Sequence, residues 1–288
     1  MAYVPRTVGG FELAALIADE AREGRHVLLA GPPGSGKSSA VFHALSAKQR
    51  IWIQVSNDLY PDDLVLKHLP IGDNLTTVNG VLLEACLKGK VLFLDELNAA
   101  RASSLTPLHG PMSERRMIVQ NCADPSAIVA ELRKSRPRGV RAADDQIDCD
   151  GNTVTFTPRP GFAVVATVNP GAFGREGLGV PDAVRDRFSL IIRVALTDGF
   201  VEAMGVNSHA RRLLAWTQQN NFDWQPSLRS LLDFTHFAEQ RSPSFAARAL
   251  LGHVPDEHVE AMHGVLTSLV PGECSQLGTD AAKSNRAA

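Results

Sequence analysis

Five short runs of apolar or β-branched residues lie in the first two thirds of the chain, and they predict strands. Four or more consecutive apolar residues suit a strand buried on both faces, whereas strict alternation suits a half-exposed one. Turn-forming residues bound such runs, as Ser56-Asn57-Asp58 does after the second. The predicted strands cover residues 26–30, 50–55, 91–94, 162–168 and 189–194.

Segments with helical spacing separate these strands. Phe11, Leu13, Leu16 and Ile17 recur at near-helical intervals and predict a helix over residues 11–22. Residues 39–45 suit a helix after the first strand, and residues 81–88 suit a helix closed by Gly89. Strands that alternate with helices predict an α/β fold in which helices flank a parallel sheet.

From about residue 198 the pattern becomes helical, with few strand signals. Residues 210–216 and 227–238 are helical stretches, and they predict a small α-helical second domain. A length of 288 residues suits one large domain and one small domain. We expect an α/β domain over residues 1–197, a helical domain over 198–272 and a disordered, small and polar tail over 273–288.

Composition is that of an ordinary globular protein. Apolar residues make up 44% and charged residues 21% of the chain, so most of it should fold. A formal net charge of −2 gives no global attraction to nucleic acid or to an anionic membrane. The four cysteines lack metal-ligand spacing, and the amino terminus has no apolar signal core. We therefore expect a cytoplasmic protein with reduced thiols and no membrane segment.

Residues 31–38 read Gly-Pro-Pro-Gly-Ser-Gly-Lys-Ser and follow the first predicted strand. Glycines let several backbone N–H groups converge on phosphates, where a Cβ would block the turn. Lys37 would reach the β- and γ-phosphates, and the Ser38 hydroxyl would bind Mg²⁺. A merely flexible glycine turn is the alternative, but the strand before and the helix after favour a nucleoside triphosphate site. The expected nucleotide-binding residues are Gly31, Pro32, Pro33, Gly34, Ser35, Gly36, Lys37, Ser38 and Ser39.

Two further predicted strands end in polar side chains. Asp95 and Glu96 follow the run 91–94, and Asn169 follows the run 162–168. Ligands bind at the carboxyl ends of the strands in open α/β sheets. Asp95 would hold Mg²⁺ through its water shell, Glu96 would activate the attacking water, and Asn169 would bridge that water and the γ-phosphate. Ordinary strand-to-loop junctions, with Asn-Pro as a turn signal, are the alternative.

Together the segments GPPGSGKS, VLFLDELN, VVATVNP, VPDAVRDRF and PSLR resemble the AAA+ ATPases and, within them, the MoxR-like and dynein-related branch. The similarity covers most of residues 8–240, and residues 7–10, 80–85 and 112–116 favour that branch. The resemblance implies a P-loop NTPase fold followed by a small helical lid. It also implies ATP, rather than another nucleotide, together with Mg²⁺.

The same resemblance implies individual roles. Residues 31–38 match Walker A, Asp95 and Glu96 match Walker B, and Asn169 matches sensor 1. Arg187 matches the arginine finger that is offered to a neighbouring subunit, with Arg185 as the other candidate, and Arg229 in the lid matches sensor 2. A solvated surface charge or a salt bridge is the alternative for each arginine.

The resemblance further implies a homo-oligomeric ring, a hexamer, in which hydrolysis remodels or activates a partner protein. Members of this branch often act with a separate protein that carries a von Willebrand factor A-type metal-binding domain. Two other functions remain open from the sequence. One is a nucleic-acid motor or loader, and the other is a scaffold that binds ATP but turns it over poorly. The Asp95-Glu96 pair argues against the scaffold, because binding alone does not need Glu96.

An apparent insertion spans residues 121–145 and contains an amphipathic stretch at 125–132. The densest basic cluster of the chain follows this stretch. Five positive charges would grip an acidic polypeptide or a nucleic-acid backbone, although no aromatic residue is interleaved for base stacking. A solvated loop is the alternative. The cluster comprises Arg133, Lys134, Arg136, Arg138 and Arg141.

Overall fold

The computed structural model describes residues 3–71, 74–134, 147–170, 178–220, 222 and 224–269. The predicted tail 273–288 and the basic residues Arg136, Arg138 and Arg141 lie outside the described residues. Within those residues, no helix is both long enough and apolar enough to cross a membrane.

Twelve strands lie in the part of the chain that the structure describes. They are β1 (Thr7–Val8), β2 (Phe11–Glu12), β3 (Val27–Ala30), β4 (Arg50–Gln54), β5 (Leu66–Ile71), β6 (Asn74–Asn79), β7 (Val91–Asp95), β8 (Met117–Val119), β9 (Ile147–Asp150), β10 (Thr153–Phe156), β11 (Ala163–Val168) and β12 (Leu190–Arg193).

The same residues contain twelve α-helices and several short 3-10 helices. The α-helices are α1 (Leu13–Arg22), α2 (Lys37–Ala44), α3 (Pro61–Leu64), α4 (Val81–Lys88), α5 (His109–Ser113), α6 (Pro125–Lys134), α7 (Asp182–Arg185), α8 (Asp198–Ala203), α9 (Ser208–Gln219), α10 (Leu228–Gln240), α11 (Pro243–Leu251) and α12 (Val259–Leu269). The 3-10 helices include Leu97–Ala99, Ala102–Leu108 and Asp256–His258.

A five-stranded sheet in the order β12-β3-β11-β7-β4 forms the centre of the fold. All of its neighbouring strands run parallel, so their carboxyl ends share one edge. In the register between β11 and β7, Val165 lies opposite Phe93 and Ala166 lies opposite Leu94. The predicted fold class, an α/β parallel sheet flanked by helices with a further helical part, is confirmed.

The central strands are apolar along their whole length because both faces of the sheet are covered. Leu28 and Leu92 pack into the hydrophobic core on one face. Their neighbours Leu29 and Phe93 pack into the core on the other face. Side chains alternate across a strand, so a continuous apolar run can fill two cores at once. This double burial explains why the predicted and observed bounds of the inner strands β3, β7 and β11 agree within one residue.

The helix α4 ends in a tight turn that requires a glycine. It begins after Gly80 and ends at Gly89, whose φ of 59° is in the left-handed region. A Cβ on Gly89 would lie 2.3 Å from the carbonyl oxygen of Pro160. Glycine is therefore required here both for the backbone conformation and for the close approach of another segment.

Three antiparallel elements lie outside the central sheet among the described residues, and the smallest is the two-stranded pair of β1 and β2. The strands β8, β10 and β9 form a three-stranded sheet. The strands β5 and β6 form a long hairpin that the sequence pattern did not predict. Pro70 lies within β5, and proline inside a run argues against a strand on sequence alone.

The apparent insertion 121–145 contains the helix α6. Ile128 and Leu132 on this helix are buried in the core of the α/β part. The exposed residues Arg133 and Lys134 lie in its last turn, where cations complement the negative end of the helix dipole. The amphipathic stretch is therefore a helix that packs its apolar face into the core, while Ser126, Ala127, Ala130 and the basic end are exposed.

The contacts of the chain divide it into two compact units. The first comprises residues 1–31 and 36–194, and the second comprises residues 32–35 and 195–288. Helices α8 to α12 belong to the second unit. Side-chain oxygens of Asn207, Ser227 and Ser242 accept backbone N–H groups at the starts of α9, α10 and α11. These caps satisfy N–H groups that have no partner within the helix.

Candidate functional site

The carboxyl edge of the central sheet brings together the polar residues that the sequence placed at strand ends. Gly31 follows β3, Asp95 ends β7 and Asn169 follows β11. Lys37 is the first residue of α2, the helix that follows β3 and the phosphate-loop sequence. Because β7, β11 and β3 are adjacent, residues far apart in sequence meet at one place.

Two glycines in the phosphate-loop sequence have left-handed backbone conformations. Gly34 has a φ of 76° and Gly36 a φ of 82°, and Gly36 is the N-cap of α2. Residues with a Cβ rarely adopt this conformation, so the glycines permit the turn. The backbone N–H groups at the start of α2 are therefore available at the edge of the sheet where an anion would bind.

Lys37 is buried at this edge, and its ammonium donates hydrogen bonds to a carbonyl oxygen and to an amide oxygen. The Nζ atom lies 2.7 Å from the carbonyl oxygen of Gly31 and 2.9 Å from Oδ1 of Asn169. Burial lowers the pKa of Lys37 to about 8, although the carboxylates of Asp95 and Glu96 partly offset that effect. The lysine is held close to carbonyl and amide oxygens and near two carboxylates.

Asp95 accepts hydrogen bonds from two hydroxyl groups. Ser38 Oγ donates to Asp95 Oδ1 over 2.7 Å, and Thr167 Oγ1 donates to the same oxygen. A serine hydroxyl and a carboxylate are hard oxygen donors of the kind that Mg²⁺ prefers when phosphates and water complete its coordination. The donor set therefore fits Mg²⁺. No cluster of three or more His, Cys, Asp or Glu residues among the described ranges could hold a metal by itself.

Glu96 has an unusual backbone and a carboxylate held by two amides. Its φ of 61° is left-handed, which is rare for a residue with a side chain. Asn169 Nδ2 donates to Glu96 Oε1 over 3.2 Å, and Gln54 Nε2 donates to Oε2 over 3.3 Å. The backbone N–H of Glu96 donates to Thr167 Oγ1 over 3.0 Å. Neighbouring strands thus orient the carboxylate from both sides.

The structure adds three residues to this site that the sequence analysis did not identify. Thr167 bonds both Asp95 and the backbone of Glu96, and Gln54 bonds the Glu96 carboxylate. Asn98 bonds the backbone of Asn169. The sequence signal available for Thr167 and Gln54 was their position at the carboxyl ends of strands, because that edge of a parallel sheet binds ligands.

Two of the arginines that the sequence proposed, Arg185 and Arg187, contact residues of their own segment. Arg185 pairs with Asp182 over 2.8 Å and with Asp186 over 3.5 Å. Arg187 donates from Nη1 to the carbonyl of Ala183, while its buried Nε has no hydrogen-bond partner among the described residues. Arg185 is therefore engaged in ion pairs on its own segment. The side chain of Arg187 retains an unsatisfied donor.

The remaining predicted residues are placed as follows. Ser39 is an exposed residue of α2. Pro32, Pro33, Gly34 and Ser35 belong by their contacts to the second compact unit, and Ser35 is buried. Arg229 lies in α10 of that second unit. Its predicted role as sensor 2 stays a prediction.

A parallel sheet with a Gly-x-x-x-x-Gly-Lys-Ser loop after one strand and an aspartate bonded to that serine defines a P-loop nucleotide-binding protein. The sequence profile described as "AAA domain (dynein-related subfamily)" matches residues 26–188, more than half of the chain. The chain therefore belongs to the dynein-related subfamily of AAA domain proteins. The resemblance to the AAA+ ATPases and their MoxR-like and dynein-related branch is confirmed.

Curated relatives agree with this assignment. Protein NorQ of Paracoccus denitrificans is 29% identical over 171 residues, which cover 59% of this chain and 51% of NorQ. An uncharacterized protein of Staphylococcus saprophyticus is 27% identical over 182 residues, which cover 61% of this chain and 57% of that protein. Midasin of Giardia intestinalis is 35% identical over 107 residues, 36% of this chain and 2% of midasin.

The chain therefore matches little more than half the length of NorQ and of the staphylococcal protein, and a small part of midasin. Membership of the family implies a nucleotide-binding, nucleotide-hydrolysing ATPase at the level of the family, and its members typically assemble as rings.

Proposed function

We propose that this protein hydrolyses ATP with Mg²⁺ at the carboxyl edge of its central sheet. One observation carries the proposal: hydrogen bonds join five polar residues into one cluster, in which Thr167 links the Ser38–Asp95 pair to the others. The five residues are Lys37, Ser38, Asp95, Glu96 and Asn169. A cation, a hydroxyl, two carboxylates and an amide are the groups that phosphoryl transfer to water requires. The family assignment supports ATP as the nucleotide.

Each residue of the cluster has a distinct proposed task. Lys37 exchanges its bonds to protein oxygens for bonds to the β- and γ-phosphates, and the phosphate-loop N–H groups bind the same anion. Ser38 and Asp95 hold Mg²⁺, which when bound neutralises charge on the phosphates. Glu96 accepts a proton from the attacking water, and the Asn169 amide orients that water beside the carboxylate.

We further propose that the site is completed by a neighbouring copy of the chain in a homo-oligomeric ring, a hexamer. Arg187 is the proposed arginine finger, because its Nε lacks a bond partner whereas Arg185 is held by two aspartates. An arginine supplied in trans stabilises charge that develops on the γ-phosphoryl group. Arg229 is the proposed sensor 2, in a helical lid over residues 198–272.

The proposed consequence of hydrolysis is the remodelling of a partner protein. A nucleotide that binds an α/β domain and a helical lid with different affinity in each arrangement shifts the equilibrium between those arrangements. The family resemblance supports a partner with a von Willebrand factor A-type domain. Such a partner should change the ATPase rate of the assembled protein.

The experiment measures the ATPase rate per subunit against protein concentration for the unmodified protein, Arg187→Ala, Glu96→Gln and Arg185→Ala. A shared site predicts a rate that rises with concentration and activity that is lost in Arg187→Ala. Arg185→Ala is the matched control, because it removes a nearby arginine that is engaged in ion pairs. Its rate should stay close to that of the unmodified protein.

A mixture of Arg187→Ala and Glu96→Gln subunits gives the sharper test. Some interfaces in that mixture combine an intact Glu96 from one subunit with an intact Arg187 from the next, so part of the activity should return. A rate that is independent of concentration and of Arg187, across concentrations at which the protein assembles, would mean that the site is complete within one chain. The ring proposal would then be wrong.

A further inference from the structure

The backbone of Asn169 is paired with a side chain rather than with a strand. Asn98 Nδ2 donates to the carbonyl oxygen of Asn169 over 2.8 Å. In return, the backbone N–H of Asn169 donates to Asn98 Oδ1 over 3.3 Å. One planar amide therefore bonds both backbone groups of one residue, as a neighbouring strand would.

The path of the chain explains why a side chain takes this place. Ala166 of β11 lies opposite Leu94 of β7, but β7 ends at Asp95. The chain then turns away at Glu96, whose φ is 61°, into the 3-10 helix Leu97–Ala99. Asn98 on that helix points its amide back to the edge of β11. The pairing of β11 is thus extended to Asn169, two residues beyond the position that lies opposite the last residue of β7.

The two bonds from Asn98 hold the backbone of Asn169, and the side chain of Asn169 lies at the proposed catalytic centre. The side chain of Asn169 accepts from Lys37 Nζ and donates to Glu96 Oε1. Its backbone is the part that Asn98 holds. Asn98 is only 1% exposed, so bulk water cannot readily take over these two bonds.

We propose that Asn98 is a positioning residue for the hydrolytic reaction, acting through Asn169. Resting on the proposed function, this inference assigns a role to a residue outside the phosphate loop and the Asp95-Glu96 pair. Asn98 holds the Asn169 backbone, which directs the Asn169 amide to the Glu96 carboxylate. Correct orientation matters because a displacement of about 1 Å at a reacting centre can reduce a rate about a hundredfold.

The test compares Asn98→Ala with Ser104→Ala in the full-length chain. Ser104 is a matched control because it is also buried beyond Glu96, but its hydroxyl donates to the carbonyl of Leu59 over 2.6 Å instead. We expect Asn98→Ala to lower the single-turnover rate by at least about tenfold, a substantial part of the orientation effect. ATP affinity, measured directly, should change by less than about twofold because the phosphate-binding groups remain.

Ser104→Ala should leave the single-turnover rate close to that of the unmodified protein, even if both variants unfold at lower temperature. If Asn98→Ala does not fold, Asn98→Asp keeps the shape and the acceptor but removes the donor to the Asn169 carbonyl. The same loss of rate at retained affinity is expected there. Rates in both Asn98 variants that match the Ser104→Ala rate would overturn the inference.

A double-mutant cycle separates this inference from the proposed function. If Asn98 acts through Asn169, Asn98→Ala should add little to the loss of rate in an Asn169→Ala background. Full additivity would overturn the inference. Full turnover in Glu96→Gln and Asn169→Ala would instead overturn the proposed chemistry. Low turnover in those two variants with normal turnover in Asn98→Ala would overturn only the role of Asn98.

Discussion

The hydroxyl of Ser38 donates a 2.7 Å hydrogen bond to Oδ1 of Asp95, across 57 positions of sequence. Ser38 lies in the first turn of α2, and Asp95 ends β7. The strand β11 separates β7 from β3, the strand that precedes the phosphate loop. The contact therefore depends on the sheet as a whole, and it unites two hard oxygen donors.

Asp95→Asn tests whether this pair holds Mg²⁺. The amide oxygen can still accept a hydrogen bond from Ser38, so the fold should survive, but the negative charge is lost. We expect the Mg²⁺ concentration for half-maximal ATPase activity to rise by about tenfold or more, in the range of a lost charged interaction. A titration of the rate with Mg²⁺ at saturating ATP measures this shift.

Ser38→Thr and Ser38→Ala provide the paired controls. Threonine keeps the hydroxyl and also fits the Gly-Lys-[Ser/Thr] pattern, so its Mg²⁺ requirement should change little. Alanine removes the hydroxyl and should move the requirement in the same direction as Asp95→Asn. An unchanged Mg²⁺ requirement in both Asp95→Asn and Ser38→Ala would show that the metal is held elsewhere.

Nucleotide affinity should depend on pH through Lys37. Burial lowers the pKa of this lysine to about 8, so the free protein loses the charge as pH rises through that value. The anionic phosphates favour the charged form, so binding takes up a proton above pH 8. The ATP Kd should rise by up to about tenfold per pH unit in that range. Calorimetry in two buffers of different ionisation enthalpy checks the proton uptake.

A variant without the lysine is the control for this pH dependence. Lys37→Ala should bind ATP weakly, and its Kd should vary much less with pH above 8 because the titrating group is gone. An equal pH dependence in Lys37→Ala would assign the effect to another group. Affinity equal to that of the unmodified protein would contradict the placement of Lys37 at the phosphates.

His26 should make stability depend on pH. Burial lowers the pKa of His26 to about 4, and the neutral ring accepts the Val164 N–H at Nδ1 over 2.9 Å. In the unfolded chain the ring takes up a proton below about pH 6.5. Its stabilising contribution is therefore complete above pH 6.5 and is lost as pH falls toward 4. The full loss is about 3 kcal/mol.

Denaturant unfolding at several pH values between about 4 and 7.5 measures this slope. His26→Gln should lower the free energy of unfolding at neutral pH and flatten its decline below pH 6.5. The control His236→Gln changes an exposed histidine of α10 and should leave the slope as it was. An unchanged slope in His26→Gln would contradict the assignment.

Gly89 should tolerate substitution less well than a glycine with the same backbone conformation in open space. Gly89 and Gly151 have φ values of 59° and 55°. A Cβ on Gly89 would lie 2.3 Å from the Pro160 carbonyl oxygen, whereas one on Gly151 would have no neighbour within 4 Å. Gly89→Ala should therefore reduce the free energy of unfolding by about 1–3 kcal/mol more than Gly151→Ala. Equal losses, measured by denaturant unfolding, would contradict this steric argument.

The sequence predicted the inner strands of the central sheet, β3, β7 and β11, well because both of their faces are buried. Runs such as 91–94 then contain only apolar residues, and they stand out from their surroundings. The hairpin β5–β6 was missed because Pro70 and polar residues interrupt any such run. Hairpin pairing of this kind depends on contacts between strands, which local composition reports only weakly.

The candidate site also contains some residues that the sequence predicted and others that it did not. Lys37, Ser38 and Asp95 belong to short patterns whose spacing reflects the chemistry of phosphates and Mg²⁺. Asn98 and Gln54 have no such spacing. Their importance follows from where the strand ends and the turn at Glu96 place them. For Asn98 the sequence contains no local signal of this placement, and for Gln54 it contains only the position at the end of a strand.

The parallel register of β7 and β11 also has a consequence for folding. Asp95 and Thr167 are brought together when Leu94 lies opposite Ala166. A slip of one residue would turn every side chain of the strand to the other face and separate these two groups. A chain with misaligned central strands would therefore not bind nucleotide. A measurement of ATP binding is therefore also a test of whether the central strands have paired in their native register.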